Sequence, residues 1–154
     1  MTVRMHVPAA VARAGTISAL TLATVGATVA LPPGADATSV SATAVRIAAS
    51  KKGAPYQYGA RGPHRFDCSG LTQYAFKRAG RSLPRTAAAQ YNRTRHIRAT
   101  ARKAGDLVFF HGGGGVYHVG IYAGHSRIWH APRTGTVVRL EKIWTGSVSY
   151  GRVG

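Results

Sequence analysis

Cysteine and acidic residues are both scarce in this 154-residue chain, which contains one cysteine and four Asp or Glu residues. A single cysteine excludes an intrachain disulfide, so the hydrophobic core must hold the fold unaided. Against the four acids stand 21 Lys and Arg residues, which give a formal net charge of +17. The electrostatic field of a protein with such a high positive charge favours polyanionic partners. Because the basic residues are scattered from Arg46 to Arg152 rather than gathered in one tract, we expect a solvated basic surface suited to an anionic compartment, not a nucleic-acid site.

The first 37 residues have the layout of a secretory signal peptide. Two arginines precede an uncharged, apolar stretch at residues 14–31, a Pro-Pro-Gly break follows, and Ala35-Asp36-Ala37 forms an A-x-A cleavage site. The alternative is a membrane anchor, but the apolar run of about 18 residues is at the lower edge of spanning length. We therefore predict a signal peptide at 1–37, no membrane span after cleavage, and a single domain at 38–154.

The predicted domain is helical first and stranded later. Expected helices cover residues 41–52, a segment capped by Asp67 and stopped by Gly80, and a short segment capped by Thr86. Strand patterns then occupy residues 107–110, 117–122, 127–130 and 137–140, with a possible edge strand at 150–153. Helices followed by strands indicate an α+β fold, with N-terminal helices packed on a C-terminal antiparallel sheet.

Cys68 is predicted to lie in the first turn of the second helix. The positive end of the helix dipole and the unpaired backbone N–H groups favour a thiolate there. Most free cysteines are small buried hydrophobes, however, and that alternative stays open on this stretch alone. A nucleophilic role requires a histidine from elsewhere in the chain.

Two strand histidines are candidates for that partner. A three-residue hairpin loop at 123–125 would pair His118 directly with His130, with their Cβ atoms about 4.5–5.5 Å apart on one face. A register slip of one residue would separate them. In this arrangement His118 takes the thiol proton and His130 orients it. The alternative is a pair of structural histidines packed beside aromatic residues.

A metal site is the other chemical alternative, since Cys68, His118 and His130 are possible zinc ligands. The sequence has no Cys-x-x-Cys, His-Glu-x-x-His or acidic cluster to support one, and we expect neither a metal nor another cofactor. The remaining histidines of the domain lack an obvious partner and are expected at the surface or in loops; they are His64, His96, His111 and His125.

Six ordered motifs resemble the NlpC/P60 family of cell-wall cysteine peptidases. They are Ala-Pro-Tyr-Gln-Tyr-Gly at 54–59, Phe-Asp-Cys-Ser-Gly-Leu at 66–71, Leu-Pro-Arg-Thr at 83–86, Gly-Asp-Leu-Val-Phe-Phe at 105–110, His-Val-Gly-Ile-Tyr at 118–122 and His-Ala-Pro at 130–132. The resemblance covers nearly all of the predicted domain. It implies a papain-like fold and hydrolysis of a peptidoglycan stem peptide, usually between γ-D-glutamate and diaminopimelate or lysine.

The resemblance also implies roles for individual residues. Cys68 is the nucleophile, His118 the base and His130 the third polar residue. Tyr56 matches a tyrosine beside the nucleophile that helps to stabilise the oxyanion, together with the backbone N–H of Cys68. The positions that line the substrate side in relatives are Asp67, Ser69 and Arg85. Three residues depart from the family pattern, namely Tyr58, Ala60 and Ala104. None of them belongs to the triad, but the first two put the shape of the groove in doubt.

The resulting expectation is a secreted or wall-associated monomer that acts on peptidoglycan and contacts anionic wall polymers. One alternative keeps the site but changes the reaction, to an N-acetylmuramoyl amidase or an acyl transferase. Another is a non-catalytic basic module that binds the cell wall. The presence of Cys68, His118 and His130 together argues against that module.

Overall fold

The computed structural model describes residues 33–154, so most of the predicted signal peptide lies outside the described residues. Helix α1 spans Pro33–Ser50 and begins eight residues before the predicted start at residue 41. Proline suits the first position of a helix, where its missing N–H would have no partner. The expected cleavage sequence at 35–37 thus lies within α1, and cleavage there stays a prediction. Within residues 33–154, no helix is long and apolar enough to cross a membrane.

Helix α2, Cys68–Arg78, begins and ends where its capping residues predict. The Asp67 carboxylate accepts hydrogen bonds from the backbone N–H groups of Gly70, at 2.7 Å, and of Gly59, at 3.0 Å. Gly80 follows the helix with a φ of +93°, a left-handed conformation that favours glycine. A Cβ on Gly70 would collide with the backbone oxygen of Ala60, so the preceding loop lies directly against the first turn. The start of α2 is therefore held tightly.

Helix α3, Ala87–Arg93, is capped by Thr86 as predicted, through a hydrogen bond from the Ala89 N–H. Its fully buried Gln90 ties it to α2. The side-chain amide of Gln90 donates to the backbone oxygens of Ser69 and Pro84, and its oxygen accepts from the Thr72 hydroxyl at 2.7 Å. This satisfied buried network further fixes the turn that carries Cys68.

Six antiparallel strands form one sheet in the order β1-β6-β2-β3-β4-β5. The strands are β1 Arg95–Ile97, β2 Leu107–Gly112, β3 Gly115–Gly124, β4 Arg127–His130, β5 Arg139–Lys142 and β6 Val148–Arg152. The predicted α+β architecture is confirmed. The prediction of an edge strand at 150–153 was wrong, because β6 lies inside the sheet between β1 and β2. Strand β1 was not predicted, and β5 begins two residues later than expected.

The helices cover one face of this sheet. Leu107 and Phe109 of β2 are fully buried and belong to one cluster with Phe76 of α2. The alternate residues Val108 and Phe110 belong to a separate cluster on the other face. Full burial of each such side chain contributes roughly 1.5–3 kcal/mol. Because α2 packs on the sheet through this core, its first turn is placed beside the central strand β3.

Candidate active site

The hairpin between β3 and β4 differs from the predicted one in its register. Tyr122 pairs with Ile128, and the turn contains His125 and Ser126 at φ values of 51° and 55°. The predicted three-residue loop at 123–125 would instead pair Tyr122 with Ser126, so the register prediction was wrong by two residues. Since side chains alternate with a period of two, an even shift keeps every residue on its predicted face. His118 and His130 therefore lie diagonally across the two strands rather than directly opposite.

The two imidazoles lie in hydrogen-bond contact. Nε2 of His118 is 2.9 Å from Nδ1 of His130, and the rings meet edge to face with centroids 5.2 Å apart. Both side chains are buried, with exposed fractions of 5% and 1%. Phe110 and Trp144 pack against the pair, and the Trp144 ring lies 5.7 Å from His118 and 5.4 Å from His130. The histidines are thus fixed in position by strands and aromatic rings.

Glu141 extends this pair, and it is the site residue that the sequence did not reveal. Its Oε2 lies 2.8 Å from Nε2 of His130 and 2.9 Å from Nε of Arg139. The predicted strand at 137–140 stopped one residue short of it. The sequence feature that could have pointed to Glu141 is the rarity of acidic residues, since Glu141 is one of only three acids after residue 38.

The carboxylate determines which nitrogens carry protons. An ionised carboxylate only accepts, so Nε2 of His130 donates to Glu141. Nδ1 of the neutral His130 ring must then accept, and Nε2–H of His118 donates to it. Nδ1 of His118 is left unprotonated as a hydrogen-bond acceptor. The chain of contacts thereby presents a free imidazole lone pair, as a general base requires.

Burial sets the protonation states that this arrangement needs. It lowers the pKa of His118 to about 3, with repulsion from His130 acting in the same direction and Glu141 opposing both. Burial also lowers the pKa of His130, and the hydrogen bond that His130 donates to Glu141 opposes this effect. For Glu141, burial raises the pKa, but hydrogen bonds from Arg139 and His130 outweigh it and lower the pKa overall. At neutral pH the two imidazoles are neutral and the carboxylate is ionised.

Cys68 is the first residue of α2, and its free thiol is partly buried. Burial raises the pKa of this thiol, although backbone hydrogen bonds from Val119 and Ser69 favour the thiolate. The helix N-terminus was expected to favour the thiolate, but burial is the larger effect. Within the described residues, no hydrogen bond joins the Cys68 thiol to the His118 imidazole. The resting site therefore holds a neutral thiol near a neutral base.

An open cleft of about 480 Å³ brings these groups together. Its lining residues come from the loop before α2, the start of α2, the sheet and the segments that follow β4 and β5: Tyr56, Cys68, Tyr117, His118, His130, Pro132, Arg133, Arg139, Glu141 and Trp144. The backbone N–H of Tyr56 donates to the backbone oxygen of Thr136 at 2.9 Å, which ties the loop before α2 to the segment between β4 and β5. Burial, followed by the proximity of Cys68, raises the pKa of Tyr56, so its hydroxyl keeps its proton and can donate it.

The other three predicted site residues, Asp67, Ser69 and Arg85, do not line the cleft. They form a hydrogen-bond network behind the nucleophile. The guanidinium of Arg85 donates to both carboxylate oxygens of Asp67 and, at 2.9 Å, to the hydroxyl of Ser69. Asp67 and Ser69 are buried, whereas the Arg85 side chain is 31% exposed. In this structure the network braces the first turn of α2, and substrate contact by these residues stays a prediction.

The other histidines of the domain lie away from the cleft. His64 and His125 are exposed, as expected. His111 has a partner that the sequence did not suggest, because its Nε2 lies 2.7 Å from the Ser149 hydroxyl. Among residues 33–154, no three His, Cys, Asp or Glu side chains are grouped as metal ligands.

Two curated proteins and one solved structure illustrate which known proteins this chain resembles. The chain is 49% identical over 106 residues to the probable endopeptidase p60 of Listeria monocytogenes, covering 66% of the chain and 22% of that relative. It is 39% identical over 120 residues to the bifunctional muramidase/DL-endopeptidase CwlT of Bacillus subtilis, covering 72% and 36%. The structure of the peptidoglycan hydrolase RipB from Mycobacterium tuberculosis matches with a TM-score of 0.69 and 30% identity, covering 79% of this chain and 68% of RipB.

The chain spans well under half the length of either curated relative, 22% and 36%. The model of the NlpC/P60 family matches residues 53–150, which is more than half of the chain. Residues 53–150 contain α2, α3, most of the sheet and every cleft residue described above. By sequence and by fold, this chain belongs to the NlpC/P60 family.

Proposed function

We propose that this protein is a cysteine peptidase that hydrolyses an amide bond in the stem peptides of peptidoglycan. The observation that carries the proposal is the 2.9 Å contact between His118 and His130 in the same cleft as the only cysteine. A neutral base beside a thiol at a helix N-terminus is the arrangement that nucleophilic catalysis requires. The relatives named as endopeptidases and as a peptidoglycan hydrolase support the same substrate class.

In the first half-reaction Sγ of Cys68 attacks the carbonyl carbon of the scissile amide, and Nδ1 of His118 takes the thiol proton. Because the resting thiol and imidazole are both neutral, this transfer accompanies the attack. The amide π electrons move to the carbonyl oxygen. As the tetrahedral intermediate collapses, His118 returns the proton to the leaving amine, and a thioester to Cys68 remains.

Charges that develop in this step are stabilised on two sides of the cleft. The backbone N–H of Cys68 and the Tyr56 hydroxyl are the proposed donors to the oxyanion. The positive charge on His118 is stabilised through His130 by the Glu141 carboxylate. His130 and Glu141 are positioning residues in this scheme, since they act through His118.

The second half-reaction regenerates the thiol. Water attacks the thioester carbonyl while His118 removes one of its protons. The carbonyl is restored as the C–S bond breaks, and the proton passes from His118 to the departing sulfur. The products are a peptide with a free carboxylic acid and a peptide with a free amine.

We further propose that the bond is the γ-D-glutamyl amide to diaminopimelate or lysine. The DL-endopeptidase activity in the name of CwlT supports this assignment, as does the motif resemblance. The proposed site of action is the cell wall, outside the cell, after removal of residues 1–37. Without Arg4, Arg13 and Asp36, the remaining 19 Lys and Arg residues outnumber the three acids by 16, and this positive charge favours retention on anionic wall polymers. The proposed catalytic unit is a monomer.

The test is a digest of purified peptidoglycan in H₂¹⁸O, with products identified by mass spectrometry. We expect a new free amine on the third stem residue and ¹⁸O in the carboxyl group of the second. Release of whole stem peptides from muramic acid would instead show an amidase. New amide products without ¹⁸O would show an acyl transferase. Binding without any product would show a non-catalytic wall-binding module.

A further inference from the structure

A second cavity, with a volume of about 770 Å³, lies toward the opposite end of α2 from Cys68. Cys68 and Arg78 are the first and last residues of α2, which places them about 15 Å apart along the helix axis. We call this space the basic cavity, because Arg61, Lys77 and Arg78 line it and no carboxylate does. Its volume suits a ligand segment of drug-like size.

The cations of the basic cavity lack carboxylate partners. Three carboxylate side chains are described in residues 39–154, and each pairs with an arginine elsewhere: Asp67 with Arg85, Asp106 with Arg152 and Glu141 with Arg139. The positive charge of this cavity is consequently uncompensated within the described chain. A concave surface lined by one sign of charge focuses the field and attracts ligands of the opposite sign.

One aromatic side chain, Tyr74, orients one of the three cavity cations, Arg78. The guanidinium of Arg78 lies 5.5 Å from the centre of the Tyr74 ring, and the ammonium of Lys51 lies 5.1 Å from it. The Tyr74 ring in turn packs edge to face on the buried Phe66, at 5.2 Å. Cation–π contacts of this kind limit the orientations of the charged groups. Arg78 is therefore held against an aromatic ring that packs on the core.

We propose that the basic cavity binds the free carboxylates of a second, uncut stem peptide of peptidoglycan while another stem lies in the active-site cleft. This inference rests on the proposed function. A stem linked through the γ-carboxyl of glutamate keeps its α-carboxylate free, so each repeat of the polymer carries the complementary charge. Guanidinium groups bind carboxylates in a planar, two-bond geometry. Two contacts with one polymer raise the effective concentration of substrate at the cleft.

The test compares the full chain with two charge-matched double variants. Arg61→Gln/Arg78→Gln removes two cations from the basic cavity. Arg95→Gln/Arg98→Gln removes two exposed cations from β1 and the residue that follows it, outside both the cavity and the cleft. Binding to purified sacculi is measured in a Cys68→Ala background, so that the polymer stays intact. Cleavage of a soluble single stem peptide is measured with Cys68 present.

We expect the cavity variant to bind sacculi about tenfold more weakly or worse, and the control variant less than about threefold more weakly. Both variants should cleave the soluble stem peptide within about twofold of the parent rate, because a single stem engages only the cleft. Equal losses of sacculus binding in the two variants would overturn the proposal, since net charge alone would then explain them. Failure of the parent to cleave any stem would refute the proposed function. The comparison of sacculus binding between the two variants would still test the role of the basic cavity independently.

Two further arms identify the ligand. Sacculi stripped of phosphodiester polymers should show the same difference between the variants, whereas disappearance of that difference would assign the cavity to those polymers and overturn the proposal. Sacculi whose carboxylates are converted to amides should abolish the difference. Persistence of the difference on amidated sacculi would also overturn it. Thermal unfolding of each variant checks that the substitutions leave the fold intact.

Discussion

Replacing Glu141 by glutamine tests whether the carboxylate acts through the two histidines. The side chain keeps its shape and an oxygen that accepts from Nε2 of His130, but it loses its charge. In the proposed mechanism that charge stabilises the imidazolium that forms on His118 during attack. The substitution should therefore slow the chemical step and leave substrate binding nearly unchanged.

The magnitude follows from the geometry. Oε2 of Glu141 is 2.8 Å from His130, whose ring centre is 5.2 Å from that of His118. At a separation of roughly 8 Å and an effective dielectric constant of about 20, two unit charges interact by about 2 kcal/mol. The Glu141 side chain is 39% exposed and shares its charge with Arg139, so solvent and that ion pair reduce the effect. About 1 kcal/mol remains, which corresponds to a roughly fivefold loss of kcat/KM at constant KM.

The pH profile separates this electrostatic effect from structural damage. His118 must be neutral to act as the base, so activity is lost as pH falls through its pKa, which is about 3. Glu141 raises that pKa, so Glu141→Gln should lower it and move the acid limb to lower pH. The matched variant Arg139→Gln removes a cation that lowers the pKa of His130, and it should raise the pKa of that ring.

The assay is kcat/KM on a soluble stem peptide from about pH 2.5 to about pH 9, with histidine titrations followed by NMR. Thermal unfolding at neutral pH controls for loss of fold. The reasoning is refuted if Glu141→Gln has wild-type kcat/KM and an unmoved acid limb. An acid limb that moves to higher pH would refute it as well, because the sign of the interaction would be wrong.

Four further predictions follow from the structure. Alkylation of Cys68 by iodoacetamide should have its midpoint above the ordinary thiol value of 9.0, because burial raises its pKa; a midpoint below neutral pH would show a preformed ion pair instead. Tyr56→Phe should lower kcat roughly 100- to 1,000-fold with little change in KM, and an unchanged kcat would exclude its hydroxyl from the oxyanion site. Gly70→Ala should destabilise the fold by about 1–3 kcal/mol in urea unfolding, because the new Cβ meets backbone, whereas Gly113→Ala has open space and should be nearly neutral. The free energy of unfolding should fall by up to roughly 5 kcal/mol between pH 6.5 and about pH 3, because in this range His118 binds a proton in the unfolded chain but not when it is buried. A His118→Gln variant whose stability has an equal dependence on pH would contradict this.

Local chemistry made the helices predictable. Asp67 and Thr86 cap their helices through hydrogen bonds to backbone N–H groups three residues later, and Gly80 ends α2 in the left-handed region. These interactions involve neighbours in sequence, so residue type and spacing were sufficient. The start of α1 at Pro33 was missed, because a Pro-Pro-Gly run stops a preceding helix and begins a new one equally well.

The sheet was less predictable, because strand order depends on distant pairings. The pattern at 150–153 showed a strand but not that β6 would be paired on both sides, with β1 and β2. The hairpin register was wrong by two residues, since the loop closes through His125 and Ser126, which are left-handed like the preceding Gly124. His118 and His130 still lie on the same face of the sheet only because the register shift was an even number of residues.

The candidate site was predictable in its residue types but not in its electrostatics. Cys68, His118 and His130 follow from motif and periodicity, whereas the contact between Glu141 and His130 depends on how β5 pairs with β4. The direction of the thiol pKa could not be predicted either. The helix N-terminus is a local feature that favours the thiolate, and burial, which opposes it, is a property of the whole fold.

The most direct test of the central claim is the rate at which Cys68→Ala cleaves a purified stem peptide, read by mass spectrometry beside the wild type. The wild type is expected to release a fragment with a free γ-carboxyl on the second stem residue. The variant, whose unfolding temperature should equal that of the wild type, is expected to release no such fragment above background. Product formation by Cys68→Ala at the wild-type rate would contradict the assignment of this thiol as the nucleophile.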